Sequence, residues 1–265
     1  MTALLELSGV SKHFGGMKAV NDVSFSVGEG AIYGLIGPNG AGKTTVVNLI
    51  SGYLKPTAGR ITLAGSDLAD LRPHRLAAAG IARTYQNLKL FDESTVLENV
   101  LIGRHLSFKG RRWQLGRVRR REEAEQHEVA RRLIDRVGLT SVIDVDVAEL
   151  SYGMRRRVEI ARAMATEPRL LLLDEPTAGM NRAESDDIGR LIQMINDEGV
   201  TVLLVDHNVR LVTEVCHQVV VLDWGSVLTE AGPHEVWQDE RVKTAYLGVK
   251  ERRTADTVEA PDAGR

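Results

Sequence analysis

The sequence predicts an α/β fold in which a mostly parallel sheet is accompanied by an antiparallel β unit near the N-terminal end and by an inserted helical segment. Three observations predict it. Short β-type runs punctuated by Gly and Pro fill the first third, strands and helices alternate from Pro168 onward, and the stretch between, Thr95 to Val147, carries little strand signal.

In chain order, Leu4 to Val10 and the alternating Val23, Phe25 and Val27 read as an antiparallel flap beside a first buried strand, Ala31 to Ile36, which ends in a glycine-rich turn. The second half has the grammar of βαβ units. Leu170 to Asp174 is a strand, Ile188, Leu191, Ile192 and Ile195 mark one face of a helix, and Thr201 to Asp206 is the next strand. Within the insertion, a basic stretch from Arg104 to Arg121 leads into helix-prone residues ending near Val137, so residues 95–147 read as a separate helical lobe of a domain spanning 1–248. The basic stretch reads most simply as a solvated, mobile face, with contact to a partner or to lipid headgroups as the alternative. Residues 249–265, with Pro261, Gly264 and few large apolar side chains, are expected to have no fixed fold.

Composition narrows the class of protein. With 265 residues, 43% hydrophobic and 26% charged, and a formal net charge of -2, the chain has the balance of a globular protein with no global attraction to nucleic acid or lipid. Its apolar runs stop within a strand's length, well short of the ~18 residues that cross a bilayer, and Met1 to Val10 lacks the basic start and apolar middle of an export signal. The single Cys216 excludes an intramolecular disulfide and reads as a small buried side chain.

The chemistry begins at Gly37-Pro38-Asn39-Gly40-Ala41-Gly42-Lys43-Thr44, which fits G-x-x-x-x-G-K-[ST] between an apolar strand and the helix-compatible run Thr45 to Ile50. Glycines let the backbone wrap so that successive N–H groups point at phosphate oxygens, and the following helix adds the positive end of its dipole. Lys43 then neutralises the outer phosphates, and Thr44 offers a hydroxyl to Mg²⁺, a hard cation that keeps several waters. A cradle alone binds without hydrolysing. Leu170-Leu171-Leu172-Leu173-Asp174-Glu175 supplies the second element: four leucines form a strand buried on both faces and deliver Asp174 to its C-terminal edge as a metal-side carboxylate. Glu175, one residue on, is the candidate base for the attacking water.

With these residues in place, the chain from about residue 4 to 248 resembles the nucleotide-binding subunit of ATP-binding cassette (ABC) transporters, which implies a P-loop NTPase (RecA-like) core using ATP and Mg²⁺. Leu150-Ser151-Tyr152-Gly153-Met154 resembles the family signature, ahead of the metal-side strand as in the family. The resemblance implies that Ser151 and the backbone at Gly153 reach the γ-phosphate of ATP held by a second ATPase subunit, homologous or identical. It also implies that Gln86 senses the metal and water, that His207 contacts the γ-phosphate and orients the base, and that Phe14 stacks on adenine, core packing being the rival role for Phe14. Three departures stand out: Tyr152 and Met154 in the signature, Asn181 where the loop after Pro176 commonly ends in aspartate, and Asp206 before the histidine. Together with Arg83-Thr84-Tyr85-Gln86-Asn87 and Ala245-Tyr246-Leu247-Gly248, they resemble an ATPase subunit of branched-chain amino acid importers. Importers of amides, urea or other small polar solutes are similar at this level, and an exporter ATPase is the rival in another class. The implied partners are two permease subunits and, indirectly, an extracytoplasmic solute-binding protein, with no nucleic acid. The implied place is the cytoplasmic face of the membrane, held peripherally.

Overall fold

The computed structural model describes residues 2–68, 71, 73–107 and 117–246. The expectation for 249–265, and for residues 108–116 of the basic stretch, therefore falls outside the described residues.

The N-terminal unit is a four-stranded antiparallel sheet. It contains β1 (Ala3–Phe14), β2 (Met17–Gly28), β4 (Ala58–Leu63) and β5 (Ser66–Asp67), in the order β2-β1-β4-β5. Strand β1 buries Leu5, Leu7 and Val10 while Glu6 is exposed, the one-sided alternation of a sheet with one face on the core. The second sheet contains β3 (Ile32–Ile36), β6 (Ile81–Arg83), β7 (Leu170–Asp174), β8 (Thr201–Val205), β9 (Gln218–Asp223) and β10 (Ser226–Ala231). Its order is β10-β9-β3-β8-β7-β6, parallel throughout except for the antiparallel edge strand β10.

The leucine run of β7 is buried on both faces, and its alternation divides the interior in two. Leu171 and Leu173, with Val202 and Leu204 of β8, face one apolar core; Leu170 and Leu172, with Leu203 and Val205, face the other, shared with the antiparallel sheet. Each fully buried leucine is worth about 1.5–3 kcal/mol, so the strand that carries the carboxylates is anchored from both sides.

The helices are α1 (Lys43–Ile50), α2 (Pro73–Ala78), α3 (Val96–Gly103), α4 (Arg117–Arg136), α5 (Tyr152–Met164), α6 (Arg182–Asp197), α7 (Val209–Val215) and α8 (Pro233–Val236). Between β6 and β7 the described chain is helical, as its composition predicts: α3 and α4, then short 3₁₀ turns, then α5. Helix α3 starts at a capping box in which Glu98 N–H donates to Thr95 Oγ1 and Thr95 N–H donates to Glu98 Oε2. The basic stretch is not uniformly solvated. Arg104 is buried; its guanidinium donates to Gln126 Oε1 on α4, to the Ala165 carbonyl after α5 and to Glu167, stitching three segments together. Arg121, by contrast, is exposed beside Glu125.

Candidate active site

Three parallel strands end along one edge of the sheet, and the chemistry collects there. After β3 the chain turns through Gly37, whose added Cβ would lie 2.2 Å from the Leu222 carbonyl oxygen. It enters α1 through Gly42, left-handed at φ 99°, where a Cβ would meet the Ala19 carbonyl at 2.5 Å. Only glycine fits either place. Gly42 has no side chain to cap α1, so the first-turn N–H groups at this end are left for an anion, where the helix dipole favours one.

Lys43 is buried, and its ammonium donates to the Gly37 and Pro38 carbonyls at 2.7 and 3.0 Å. Desolvation pulls its pKa down, opposed by the charges of Glu175 and Asp174. A cation folded against its own loop, with two carboxylates nearby, is set to exchange carbonyls for phosphate oxygens. The loop, with Thr44, Thr45, Gln86 and Glu175, lines an open cavity of about 540 Å³. Asn39, Gly40 and the buried Ala41 line it, while the exposed Met17 and Trp224 stand at its rim.

At the end of β7, Glu175 takes a left-handed backbone, φ 48°, with its N–H held by the Val205 carbonyl at 2.7 Å. Non-glycine residues seldom hold this conformation without a functional demand. Its carboxylate accepts from Gln86 Nε2 at 3.0 Å through Oε2, while Oε1 lies 3.9 Å from His207 Nδ1. Asp206, beside the histidine, is buried and accepts from Thr177 Oγ1 at 2.8 Å and from Asn208 N–H at 2.8 Å. It thereby ties the loop after Glu175 to the loop that carries His207.

The sequence-predicted residues do not all meet in one place. The glycine loop, Lys43, Thr44, Thr45, Gln86, Glu175 and His207 converge. Asp174 lies just behind them, buried and paired with Arg83 at 2.9 Å. Ser151 and Gly153 do not line the cavity: Ser151 caps α5, accepting from Met154 N–H at 3.3 Å, and Gly153 lies in its first turn. Phe14 sits near the rim, in the hairpin that carries Met17, 44% exposed and beneath Lys12 Nζ at 5.4 Å from the ring centre, so it is not a core residue. Asn181 serves as the N-cap of α6, bonded to Glu184 N–H in a capping box.

Two site residues escape sequence reasoning. Arg83 closes the short strand β6, and only its charge at the end of an apolar strand marks it out. Arg156 hides inside Arg155-Arg156-Arg157, which reads as a solvated run; turning about 100° per residue, the helix points only the middle one inward. There Arg156 is fully buried and donates to the Tyr85 and Gln86 carbonyls at 2.6 and 3.1 Å, to Glu159 at 2.6 Å and to the Tyr152 hydroxyl at 2.9 Å. The helix capped by Ser151 is thus bolted to the backbone carbonyls on either side of Gln86.

The donor set suits MgATP. Among the described residues no group of three or more His, Cys, Asp or Glu side chains could hold a metal by itself. A metal here would draw on a hydroxyl, a carboxylate, water and phosphate, the manner of Mg²⁺. A glycine-rich phosphate cradle beside a carboxylate that accepts from Gln86, with His207 close by, has the parts of a P-loop ATPase.

The comparisons with known proteins place this ATPase. The family described as ABC transporter matches residues 20–178. The chain is 41% identical to the high-affinity branched-chain amino acid transport ATP-binding protein BraF of Pseudomonas aeruginosa, over 92% of this chain and 98% of that protein. It is 37% identical to the lipopolysaccharide export system ATP-binding protein LptB of Escherichia coli, over 93% and 98%. Among solved structures, the ADP conformation of MJ1267, an ATP-binding cassette of an ABC transporter, superposes with a TM-score of 0.83 at 31% identity, over 94% of this chain and all of that one. The dimeric post-hydrolysis state of the cassette MJ0796 bound to ADP and Pi gives 0.74 at 26%, over 86% and 98%. The chain belongs to the ABC transporter family, as an ATP-binding, ATP-hydrolysing transporter subunit.

Proposed function

We propose that this chain powers uptake of branched-chain amino acids, as one of two cassettes that close on two MgATP and drive a pair of permeases. The convergence of Gln86 and His207 on Glu175 over the phosphate loop carries the enzymatic part of the reading. The likeness to BraF across 92% of the chain carries the solute.

Lys43, the loop N–H groups and the start of α1 bind the phosphates, while Thr44, Asp174 and Gln86 hold the metal side. Mg²⁺, when bound, neutralises charge that develops on the outer phosphates. Glu175 accepts the proton of the attacking water, with Gln86 and His207 fixing its carboxylate. Ser151 and the Gly153 backbone, lying away from their own cavity, complete the partner cassette's site, so neither cassette hydrolyses well alone. Phe14 and the rim carry the adenine.

Among the described residues no helix is long and apolar enough to cross a membrane. On this reading the chain works from the cytoplasmic face of the membrane, held by two permeases, with a solute-binding protein acting on the far side. Their contact falls on α3, from Thr95 to Val100. At the C-terminal end of that helix a groove of about 260 Å³, lined by Tyr53, Tyr85, Ile102 and Glu159, opens between the core and the helical lobe. Crosslinks from Glu98 to a permease cytoplasmic segment are expected, and crosslinks confined to the opposite face would refute the placement.

The likeness to LptB supports a second reading, an export ATPase. Reconstitution with co-purified permeases separates the two: ATP-dependent leucine accumulation supports import, and outward lipid transfer without uptake overturns it.

A further inference from the structure

The reading of Asp174 and Thr44 as metal-side residues leaves open what sets the distance between them, since they sit on separate elements, β7 and α1. One side chain spans both. Arg83 is almost wholly enclosed, as is Asp174, with side-chain exposures of 8% and 6%. Its Nη2 donates to Asp174 Oδ2 at 2.9 Å, while Nη1 donates to Asn48 Oδ1 at 2.6 Å and Ser51 Oγ at 2.9 Å, at the C-terminal end of α1, the helix that carries Thr44 in its first turn. Ser51 is itself tied back to the helix through the Val47 carbonyl at 2.7 Å. The guanidinium also lies 5.8 Å from the Tyr53 ring and 5.0 Å from the Tyr85 ring, and the two tyrosine hydroxyls bond to each other at 2.6 Å. The side chain therefore has one well-defined position.

A structural ion pair would need only the contact with Asp174. The planar guanidinium instead uses its two ends on two different elements, a geometry that ammonium cannot reproduce. Arg83 occupies one oxygen of Asp174, so the carboxylate is turned by the same group that fixes the end of α1. We infer that Arg83 is the positioning residue of the metal site, holding Asp174 in register with Thr44 through Asn48 and Ser51. This rests on Asp174 being a metal-side ligand. The consequence is specific: metal affinity should depend on Arg83 while metal-free phosphate binding, which relies on the glycine loop and Lys43, should not.

The test measures binding of a nonhydrolysable ATP analogue to the full chain, first in EDTA and then across a Mg²⁺ titration. Arg83→Lys is expected to raise the Mg²⁺ midpoint at least five-fold and leave metal-free affinity within two-fold of the parent. Asn48→Ala, with Arg83 in place but loosened, should shift the midpoint the same way by a smaller factor, and it carries the test if Arg83→Lys does not fold. Asp174→Asn should remove most of the Mg²⁺ dependence. If Asp174→Asn does so while the folded Arg83 and Asn48 variants keep the parent midpoint, the inference is overturned and the metal reading stands. If Asp174→Asn leaves the midpoint unchanged, the metal reading itself fails. Equal losses with and without metal in the Arg83 variant would make its role purely structural and overturn the inference as well.

Discussion

The nucleotide end of the sheet and the helical lobe are assembled on different principles. At the nucleotide end, backbone does most of the work: Gly37 and Gly42 admit close passage of other chain segments, α1 presents uncapped N–H groups, and parallel strands deliver Asp174 and Glu175 to one edge. The lobe shares an apolar core with the sheet, through residues such as Val100, Ile134 and Val158, and is tied in addition by long cationic side chains that reach across it. Arg104 joins α3, α4 and the end of α5, and Arg156 joins α5 to carbonyls 70 and 71 residues earlier in the chain. A backbone-built site keeps its shape under most side-chain changes, whereas a joint that runs through a few buried charges is sensitive to the loss of any one of them. The first suits a phosphate site, and the second puts Gln86 within reach of changes in the lobe.

The largest expected effect is on the chemistry. Glu175→Gln should keep ATP binding and lower turnover by about 10²–10⁴-fold, the usual range for loss of a general base, with cassette dimers accumulating in ATP on size-exclusion chromatography. Phosphate release at the parent rate would remove Glu175 from that role.

Next comes the bolt between lobe and site. Arg156→Met leaves Glu159 buried without its cation, although desolvation already drives the Glu159 pKa upward. The cost should be about 3–5 kcal/mol in urea unfolding. Adding Glu159→Leu should recover part of it by removing the unpaired charge, and the remainder reports the Tyr85 and Gln86 carbonyls that still lack a donor together with the Tyr85 N–H that has lost Glu159 Oε1. Full recovery would mean that the carbonyl contacts contribute nothing, and the contrast between the two regions would weaken.

A smaller effect of opposite sign tests the strain at the site. Because Glu175 holds a left-handed backbone, Glu175→Gly should be more stable than Glu175→Gln by about 1 kcal/mol, though equally inactive. Equal melting temperatures would argue that the loop relaxes without cost.

The smallest concerns the core under α7. Burial pushes the Cys216 thiol up to about 12, so below that pH it stays a protonated thiol in the folded protein. Thiol reagents at pH 8 should leave it untouched until denaturant is added, and rapid labelling of the native chain would show that this core opens.

How much of this was legible in the sequence follows the same division. The strand of four leucines, the glycine loop and the carboxylates at the strand end are local patterns, and each appears where its pattern places it. The inserted lobe was legible as helical from its missing strand signal, but Arg104, at the head of the basic stretch, misled, because charge in a sequence implies water and this side chain is buried. Arg156 was hidden for the same reason. Phe14 shows the converse: of its two readings, adenine stacking and core packing, the hairpin removes the second by turning the ring outward.

The sequence by itself determined which elements form and which chemistry they bear, because periodicity, glycine geometry and the order of motifs act over a few residues at a time. Only the tertiary structure decided that Gln86 and His207 meet at Glu175, and that Arg83 and Arg156 go inside. Each of those choices depends on partners tens of residues away, whose carbonyls and carboxylates make the burial of a charge tolerable.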